Sequence, residues 1–288
     1  MPPPVHGASM MGKYIHDSKL IDQTFDCRYI NLTLAKDLSD IGKGGFSKLW
    51  SFLRQMKHIA SAVHKEKPRL CYVTPNTKGG AFYKDFIVVM LLKAMGQNVI
   101  AHYHNKGVAM RQGRVLDNFL YHHFFKNQKV ILLAKALYKD IEKYVAPKDV
   151  YICPNGIPES NSLPKPLSKK QESFKILFLS NMMVEKGIWD LLEACRILKE
   201  KEKEFHCDFV GKWSDIDSPT FHERIREYGL EDYITAHGSK YGTEKEKYLR
   251  EADLFVFPTY YNNECFPLVL LEAMEYGFAS VCINPCHV

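Results

Sequence analysis

The chain has 288 residues, 46% of them hydrophobic and 25% charged, which is typical of a globular protein long enough for two domains and excludes a disordered or fibrous chain. Its eight cysteines are scattered, without a C-x-x-C pair or a recognisable signal peptide, so we expect reduced thiols and a cytoplasmic location. The formal charge of +6 favours anionic partners such as phosphates or a lipid surface, and no motif indicates nucleic acid.

The first predicted element is a helix that runs through Met10 and Ile15. Gly7 precedes it in a loop that would let the backbone approach a ligand, and Ser9 is in position to cap the helix. Residues 28–33 have the composition of a strand.

A basic amphipathic helix is predicted over residues 46–63, where apolar residues recur at helical spacing with Lys48, Arg54 and Lys57 between them. Such a helix is expected to pack on a sheet. Contact with the inner face of an anionic membrane is the alternative.

Strands are predicted over residues 70–74, 98–104, 130–134 and 150–153, with a helix over 81–95. This alternation predicts a doubly wound parallel sheet, in which ligands lie at the carboxyl ends of strands. His102 and His104 stand at one such end, where an imidazole could hydrogen-bond a sugar hydroxyl; a solvated loop histidine is the alternative.

A second series of strands and helices follows residues 159–173, whose Ser, Pro, Lys and Asn content indicates a linker. We therefore expect an N-terminal domain over residues 1–158 and a C-terminal domain over 174–288. The second series starts with a strand at 175–179 and a helix at 188–203, and Lys186 in the turn between them is placed to neutralise a diphosphate. Asp215-x-Asp217 could hold a divalent metal in another fold, but here it is interpreted as a solvated loop.

Residues 253–277 predict a strand, a loop and a helix that begins at Pro267 and ends at Gly277. The helix is apolar on every face except at Glu272, so it is expected to be buried, with Glu272 paired to the protein or to a ligand. Its N-terminus is an anion site, Glu272 lies roughly 7 Å further along at ~1.5 Å per residue, and Glu264 precedes it. The helix N-terminus, Glu272 and Glu264 would then face the diphosphate, the ribose and the sugar of a nucleotide sugar. The equal alternative is that Glu264 is a solvated loop residue and Glu272 a salt-bridged core carboxylate.

The segment from Glu264 to Glu272, inside E-C-F-P-L-V-L-L-E-A-M-E-Y-G and after A-D-L-F-V-F-P, resembles the E-x7-E signature of the retaining glycosyltransferases of family 4, which have the GT-B fold. The resemblance extends over roughly residues 2–284. It implies two Rossmann-like domains facing each other across a cleft, and a sugar transferred from a nucleoside diphosphate sugar to an acceptor hydroxyl with retention of configuration. It also implies no bound metal and no other cofactor.

The resemblance assigns catalytic roles to His104, Lys186 and Glu264, with Lys186 on the phosphates and Glu272 on the ribose. It further implies donor contacts by a set of loop and helix residues: Gly7, Asn181, Gly211, Gly238, Phe266 and Leu268. Asn181 stands where the family has an arginine, which removes one fixed charge from the phosphate site.

The expected partners are the donor and a saccharide or lipid-linked acceptor, in the synthesis of cell-surface polysaccharide or glycolipid. A sugar-nucleotide epimerase of related fold and a non-catalytic donor-binding protein are the alternatives. The family's first strand and its final helices are expected to lie outside these 288 residues, so we also expect poor solubility and little activity of the chain alone.

Overall fold

The structure, a computed structural model, describes residues 7–32, 46–158, 173–277 and 279–283. It divides into two compact units, Met1–Asn155 (unit 1) and Gly156–Val288 (unit 2). The predicted linker lies outside the described residues except at its last position, residue 173. In the described part of the chain no helix has both the length and the apolar character needed to cross a membrane.

Unit 1 contains six α-helices and four strands among its described residues. The helices are α1 (Gly7–His16), α2 (Lys19–Thr24), α3 (Phe46–Glu66), α4 (Gly79–Ala94), α5 (Val108–Arg111) and α6 (Val115–Phe125). The strands are β1 (Cys71–Val73), β2 (Val99–Tyr103), β3 (Lys129–Leu132) and β4 (Val150–Ile152). All four are parallel, as the sequence predicts, and they form one sheet in the order β1-β2-β3-β4.

The core of unit 1 is a set of aromatic side chains between the sheet and two helices. Phe82 of α4 and Phe124 of α6 are fully buried and their ring centroids lie 5.6 Å apart, and Tyr103 of β2 lies 6.4 Å from Phe124. Because α4 and α6 are apolar on these faces, their burial removes a large area from water and fixes both helices on the sheet.

Two predictions for the N-terminal region are wrong. Residues 28–32 pair with no strand, and residue 33 lies outside the described part of the chain. Ser9 does not cap α1, because the helix already begins at Gly7. Helix α3 contacts α4, and its Ile59 and Val63 are buried.

Unit 2 contains four α-helices and five strands in the described residues. The helices are α7 (Ile188–Glu200), α8 (Ser218–Glu227), α9 (Gly242–Glu251) and α10 (Leu268–Glu275). The strands are β5 (Phe174–Leu179), β6 (Phe205–Val210), β7 (Ile234–Ala236), β8 (Leu254–Phe257) and β9 (Ala279–Cys282), all parallel in the order β7-β6-β5-β8-β9.

The sheet of unit 2 separates two cores. Alternate residues of β5 belong to different cores: Phe178 packs with Phe209 and Phe221 on one face, and Leu177 with Phe255 on the other. Both faces are therefore covered, as in a doubly wound sheet.

Helix α10 departs from its prediction in two respects. Pro267 precedes the first helical residue instead of being that residue, and the helix is not buried on every face. Leu270 and Ala273 pack into the core, whereas Met274 is 54% exposed. Burial of one face is enough to hold a helix that has only two turns.

Candidate functional site

Three predicted site residues meet at the carboxyl edge of the unit 2 sheet. Asn181 follows β5, Gly211 follows β6 and Gly238 follows β7. The Gly211 N–H donates to the carbonyl of Gly238 at 2.9 Å, and a Cβ on Gly211 would lie 1.6 Å from the Ser180 carbonyl oxygen and 3.3 Å from the Asn181 nitrogen. The glycine is therefore needed for the backbones of these loops to approach each other.

Lys186 ends a short 3-10 helix, Val184–Lys186, that connects β5 to α7. Gly187 follows it with φ of +77°, and a Cβ there would lie 2.1 Å from the Pro258 carbonyl oxygen. Tyr260 donates its backbone N–H to the carbonyl of Glu185 at 2.9 Å. These contacts join the turn to the loop after β8 and fix the position from which the Lys186 side chain extends.

Lys186 and Glu264, which lie 78 residues apart in the sequence, form an ion pair in the structure. Their side chains are only 11% and 14% exposed. The ammonium group also lies 4.7 Å from the centroid of the Tyr261 ring and 5.3 Å from that of Phe257. A lysine desolvated in this way needs an anionic partner, and Glu264 supplies it.

Glu272, on the second turn of α10, pairs with Lys245 of α9. The ammonium group donates to Oε1 at 2.7 Å, while Oε2 is buried and has no hydrogen-bond partner among the described residues. Glu272 is thus a salt-bridged carboxylate with one oxygen left to accept hydrogen bonds. Phe266 and Leu268, on either side of Pro267, flank the N-terminus of the same helix and are half-buried.

In unit 1 the two candidate histidines lie together at the end of β2. Their ring centroids are 4.2 Å apart, and His102 Nδ1 is hydrogen-bonded to the hydroxyl of Tyr72 at 2.7 Å. Burial lowers the pKa of His102 to about 4. Burial lowers the pKa of His104 to about 3, helped by His102 and opposed by Asn155. Both imidazoles are therefore neutral near pH 7, and His104 is not the solvated loop histidine of the alternative interpretation.

The loop after His104 is held by the carboxylate of Asp140. This group accepts hydrogen bonds from the backbone N–H groups of Gly107, Val108 and Ala109 at 2.8, 3.1 and 3.0 Å. Gly107 has φ of +144°, a conformation that side chains rarely allow. Gly7, the other candidate in unit 1, is the exposed first residue of α1, and a Cβ would meet nothing within 4 Å.

Asp215 and Asp217 both accept backbone hydrogen bonds, as structural residues do. Asp217 caps α8 by accepting from Thr220 at 2.9 Å, and Asp215 accepts from Val184 at 3.2 Å. Among the residues that the structure describes, no three His, Cys, Asp or Glu side chains cluster as metal ligands would.

The family model described as "Glycosyl transferases group 1" matches residues 159–288, which is nearly all of unit 2. The C-terminal unit is thus similar to a glycosyl transferases group 1 domain over nearly its whole length. The amylovoran biosynthesis glycosyltransferase AmsK of Erwinia amylovora is 32% identical over 114 residues, which are 38% of this chain and 28% of AmsK. The D-inositol 3-phosphate glycosyltransferase of Paenarthrobacter aurescens is 28% identical over 117 residues, 40% of this chain and 28% of that enzyme. This chain covers less than half the length of each curated relative that it matches here.

Solved glycosyltransferase structures share the fold of both units. Anabaena HepE in complex with UDP-glucose superimposes with a TM-score of 0.62 at 16% identity, covering 81% of this chain and 64% of HepE. The sucrose-phosphate synthase of Thermosynechococcus elongatus gives 0.60 at 19% identity, covering 83% and 62%. The chain therefore has the GT-B fold, as the E-x7-E motif predicts.

Tyr72 and Lys245 contact candidate residues, and Asp140 holds the loop after His104, but none of the three carries a signal in the sequence. Each belongs to a different element from the residue that it supports, and each is an ordinary residue type for its own strand, turn or helix. Only the tertiary structure brings these partners together.

Proposed function

We propose that this protein is a retaining glycosyltransferase, which transfers a sugar from a nucleoside diphosphate sugar to an acceptor hydroxyl. One observation carries the proposal: in a glycosyl transferases group 1 domain, the ion pair of Lys186 and Glu264 lies directly before the N-terminus of α10. This arrangement combines a desolvated cation with the open N–H groups of a helix, and both stabilise a departing diphosphate.

The donor would exchange partners with this ion pair. Its diphosphate takes the ammonium group of Lys186, and the carboxylate of Glu264 is then free to accept hydrogen bonds from the hydroxyls of the sugar. Oε2 of Glu272, the oxygen that has no partner among the described residues, accepts hydrogen bonds from the ribose hydroxyls. Each charge that loses a protein partner thereby gains a ligand partner, which limits the cost of desolvation.

In the transfer step, the bond from the anomeric carbon to the diphosphate oxygen breaks and a bond to the acceptor oxygen forms on the same face. The departing phosphate oxygen takes the acceptor's proton. His104, neutral because its pKa is low, would orient the donor sugar by hydrogen bonding. No resident metal or organic cofactor takes part in this proposal.

The proposed acceptor is a saccharide or a lipid-linked saccharide in the synthesis of a cell-surface polysaccharide or glycolipid. Similar proteins support this class: AmsK is an amylovoran biosynthesis glycosyltransferase, and WaaB, a lipopolysaccharide outer core galactosyltransferase, shares the fold with a TM-score of 0.59. Such acceptors place the enzyme in the cytoplasm, in peripheral contact with the inner face of the membrane.

Asn181 favours a second candidate, a protein that binds the donor without transferring its sugar. It follows β5 where the resembled family has an arginine, so the phosphate site has one fixed charge fewer. A sugar-nucleotide epimerase would differ from both candidates because it needs no acceptor.

Two measurements on the same protein test the proposal. A thermal-shift panel of nucleoside diphosphate sugars identifies the donor, because a ligand of the native state raises the melting midpoint. The donor that binds is then incubated with saccharide acceptors, and a glycosylated product is sought by mass spectrometry. Binding without product would support the donor-binding protein, and release of a modified sugar without acceptor would support the epimerase.

The matched variants are Lys186→Ala and Lys175→Ala. Lys175 also forms an ion pair in unit 2, with Glu251 at 2.8 Å, but it lies at the start of β5, away from the site. We expect Lys186→Ala to lower turnover by about 10²-fold or more, since it removes a fixed charge beside the leaving group. Equal turnover in the two variants would contradict the role of Lys186.

A further inference from the structure

The pairing of β5 with β6 continues beyond the ends of both strands. The ladder ends at Val210, and Met182 then pairs with Trp213 at the same offset in sequence as the pairs within the ladder. The N–H of Met182 donates to the carbonyl of Lys212 at 2.8 Å. Asn181 and Lys212 are therefore lateral neighbours, on adjacent extended segments about 4.8 Å apart.

The packing around these neighbours shows which face of the sheet they share. Met182 is buried in the core on one face and Trp213 packs against the same core, whereas Val210 is buried with helix α10 in the core on the other face. Side chains of an extended segment alternate between the two faces. Asn181 and Lys212 therefore belong to the face of α10. Because α10 follows β8 of the same parallel sheet, its N-terminus lies at the carboxyl edge, as these two residues do.

Lys212 adds a charge to this edge that the described residues do not neutralise. Its side chain is exposed and forms no ion pair or hydrogen bond with any residue that the structure describes. Asp215, the nearest acid in the same loop, accepts a hydrogen bond from the backbone N–H of Val184 instead. The two ion pairs of the candidate site each cancel internally, so Lys212 contributes a positive charge that is available to an anionic ligand.

We propose that Lys212 binds the diphosphate of the donor, as a second fixed cation beside Lys186. This inference rests on the proposed function. Asn181, at the neighbouring position, ends in a neutral amide, and the flexible four-carbon stem of Lys212 can carry its ammonium group past that short side chain to the phosphate oxygens. The charge missing at Asn181 is thus supplied from the adjacent segment, and its absence there is no reason to expect binding without transfer.

Titration calorimetry of the full chain with UDP, GDP and ADP tests the proposal. For the nucleoside diphosphate that binds the parent, Lys212→Gln should raise the Kd about tenfold, because it removes a charge-assisted hydrogen bond to phosphate. Lys212→Arg should keep the Kd within about twofold of the parent's, since a guanidinium also donates to phosphate.

Two further variants make the test specific to this position. Lys203→Gln removes the same charge from an exposed lysine just before β6, at the opposite end of that strand, and should leave the Kd unchanged. Asn181→Arg/Lys212→Gln places a cation on the neighbouring segment and should recover most of the lost affinity. All of these variants should keep the melting midpoint of the parent, because the replaced side chains are exposed.

A Kd that Lys212→Gln leaves unchanged would overturn the proposal and make Lys212 a solvated surface residue. Equal rises in Lys212→Gln and Lys203→Gln would also overturn it, since they would report only the net charge of the chain. So would a double variant that binds as weakly as Lys212→Gln, because the two positions would then not face the same phosphates. If the parent itself binds none of the three nucleoside diphosphates, the proposed donor class is wrong and this inference falls with it.

Discussion

At the scale of single residues, the candidate site consists of charges that the protein itself already pairs. Glu272 shows why this matters: its side chain is only 15% exposed, and Lys245, 26% exposed, supplies the compensating charge. A half-buried carboxylate with no cation would be costly, and Lys245 offsets that cost while leaving Oε2 for a ligand.

We predict that Lys245→Met lowers the free energy of unfolding of unit 2 by about 1–2 kcal/mol, because it leaves the carboxylate of Glu272 without its partner. The double variant Lys245→Met/Glu272→Gln should recover most of that loss, since no buried charge remains. Both variants should bind a nucleoside diphosphate more weakly than the parent. Urea unfolding and titration calorimetry measure the two effects. Strictly additive losses of stability would show that the two residues do not interact.

The histidines of β2 predict a dependence of stability on pH. Both pKa values are lowered from the ordinary 6.5, to about 4 for His102 and about 3 for His104. As the pH falls below 6.5, these histidines bind protons in the unfolded chain but not in the folded chain. Their contribution to the free energy of unfolding is therefore fully present above pH 6.5 and is lost as the pH falls towards about 4. The slope is about 1.4 kcal/mol per pH unit for His102 and less for the partly exposed His104.

The test compares the parent with His102→Phe by urea unfolding at about pH 7 and about pH 5. The variant should lose less stability on acidification than the parent, because phenylalanine fills much of the same space and cannot be protonated. Identical pH dependence in the two proteins would show that His102 is charged in the folded state or that the ring is not buried.

Residue types and spacing selected the charged candidates for the site but not their partners. Glu264, Glu272 and Lys186 could be selected because of their positions relative to a helix start and a strand end. Their contacts with one another and with Lys245 could not, because an ion pair across 78 residues of sequence depends on how the loops after β5 and β8 approach each other.

At the scale of elements, hydrophobic patterns predicted the parallel sheets and most boundaries to within a few residues. They failed at residues 28–33, whose composition suits a strand but which have no described partner strand to supply ladder hydrogen bonds. A β-strand forms only where a neighbouring strand supplies hydrogen bonds, and the local sequence pattern cannot show whether such a strand is present. Helix α7, predicted to end at 203, ends at Glu200 for a similar reason, since its last polar residues are compatible with helix or turn.

The loops at the carboxyl edge of the unit 2 sheet depend on Gly211, and we predict that Gly211→Ala lowers the free energy of unfolding by about 2–4 kcal/mol. A Cβ there would lie 1.6 Å from the Ser180 carbonyl, so the backbone must move. Gly238→Ala is the matched control on the same edge: its φ is +65° but the space around it is open, so it should cost only about 1–2 kcal/mol.

Tryptophan fluorescence during urea unfolding measures both glycine variants. Two of the three tryptophans, Trp189 and Trp213, pack against the core of unit 2, while Trp50 is largely exposed and contributes little change. Equal losses in the two variants would mean that the loops after β5 and β6 can separate without cost, contrary to the close approach seen in the structure.

At the scale of the whole molecule, each unit has its own sheet and its own core. The sequence predicted two such domains because two series of alternating strands and helices follow one another. The opposite formal charges of the two units, +12 for residues 1–155 and −6 for residues 156–288, could also be counted from the sequence.

Each unit has its own core, and the proposed donor site lies in unit 2. Two units of this kind should unfold in two transitions, and a nucleoside diphosphate should stabilise only the one that contains Lys186 and Glu272. Of UDP, GDP and ADP, the one that binds should raise the stability of unit 2 by about 2.7 kcal/mol when present at about 100 times its Kd. Tryptophan fluorescence follows unit 2, and far-ultraviolet circular dichroism follows both units. The variant Lys186→Ala/Glu272→Gln should show no such shift. An equal shift of both transitions in the parent would mean that the nucleotide also binds unit 1, and the assignment of the donor to unit 2 would then be wrong.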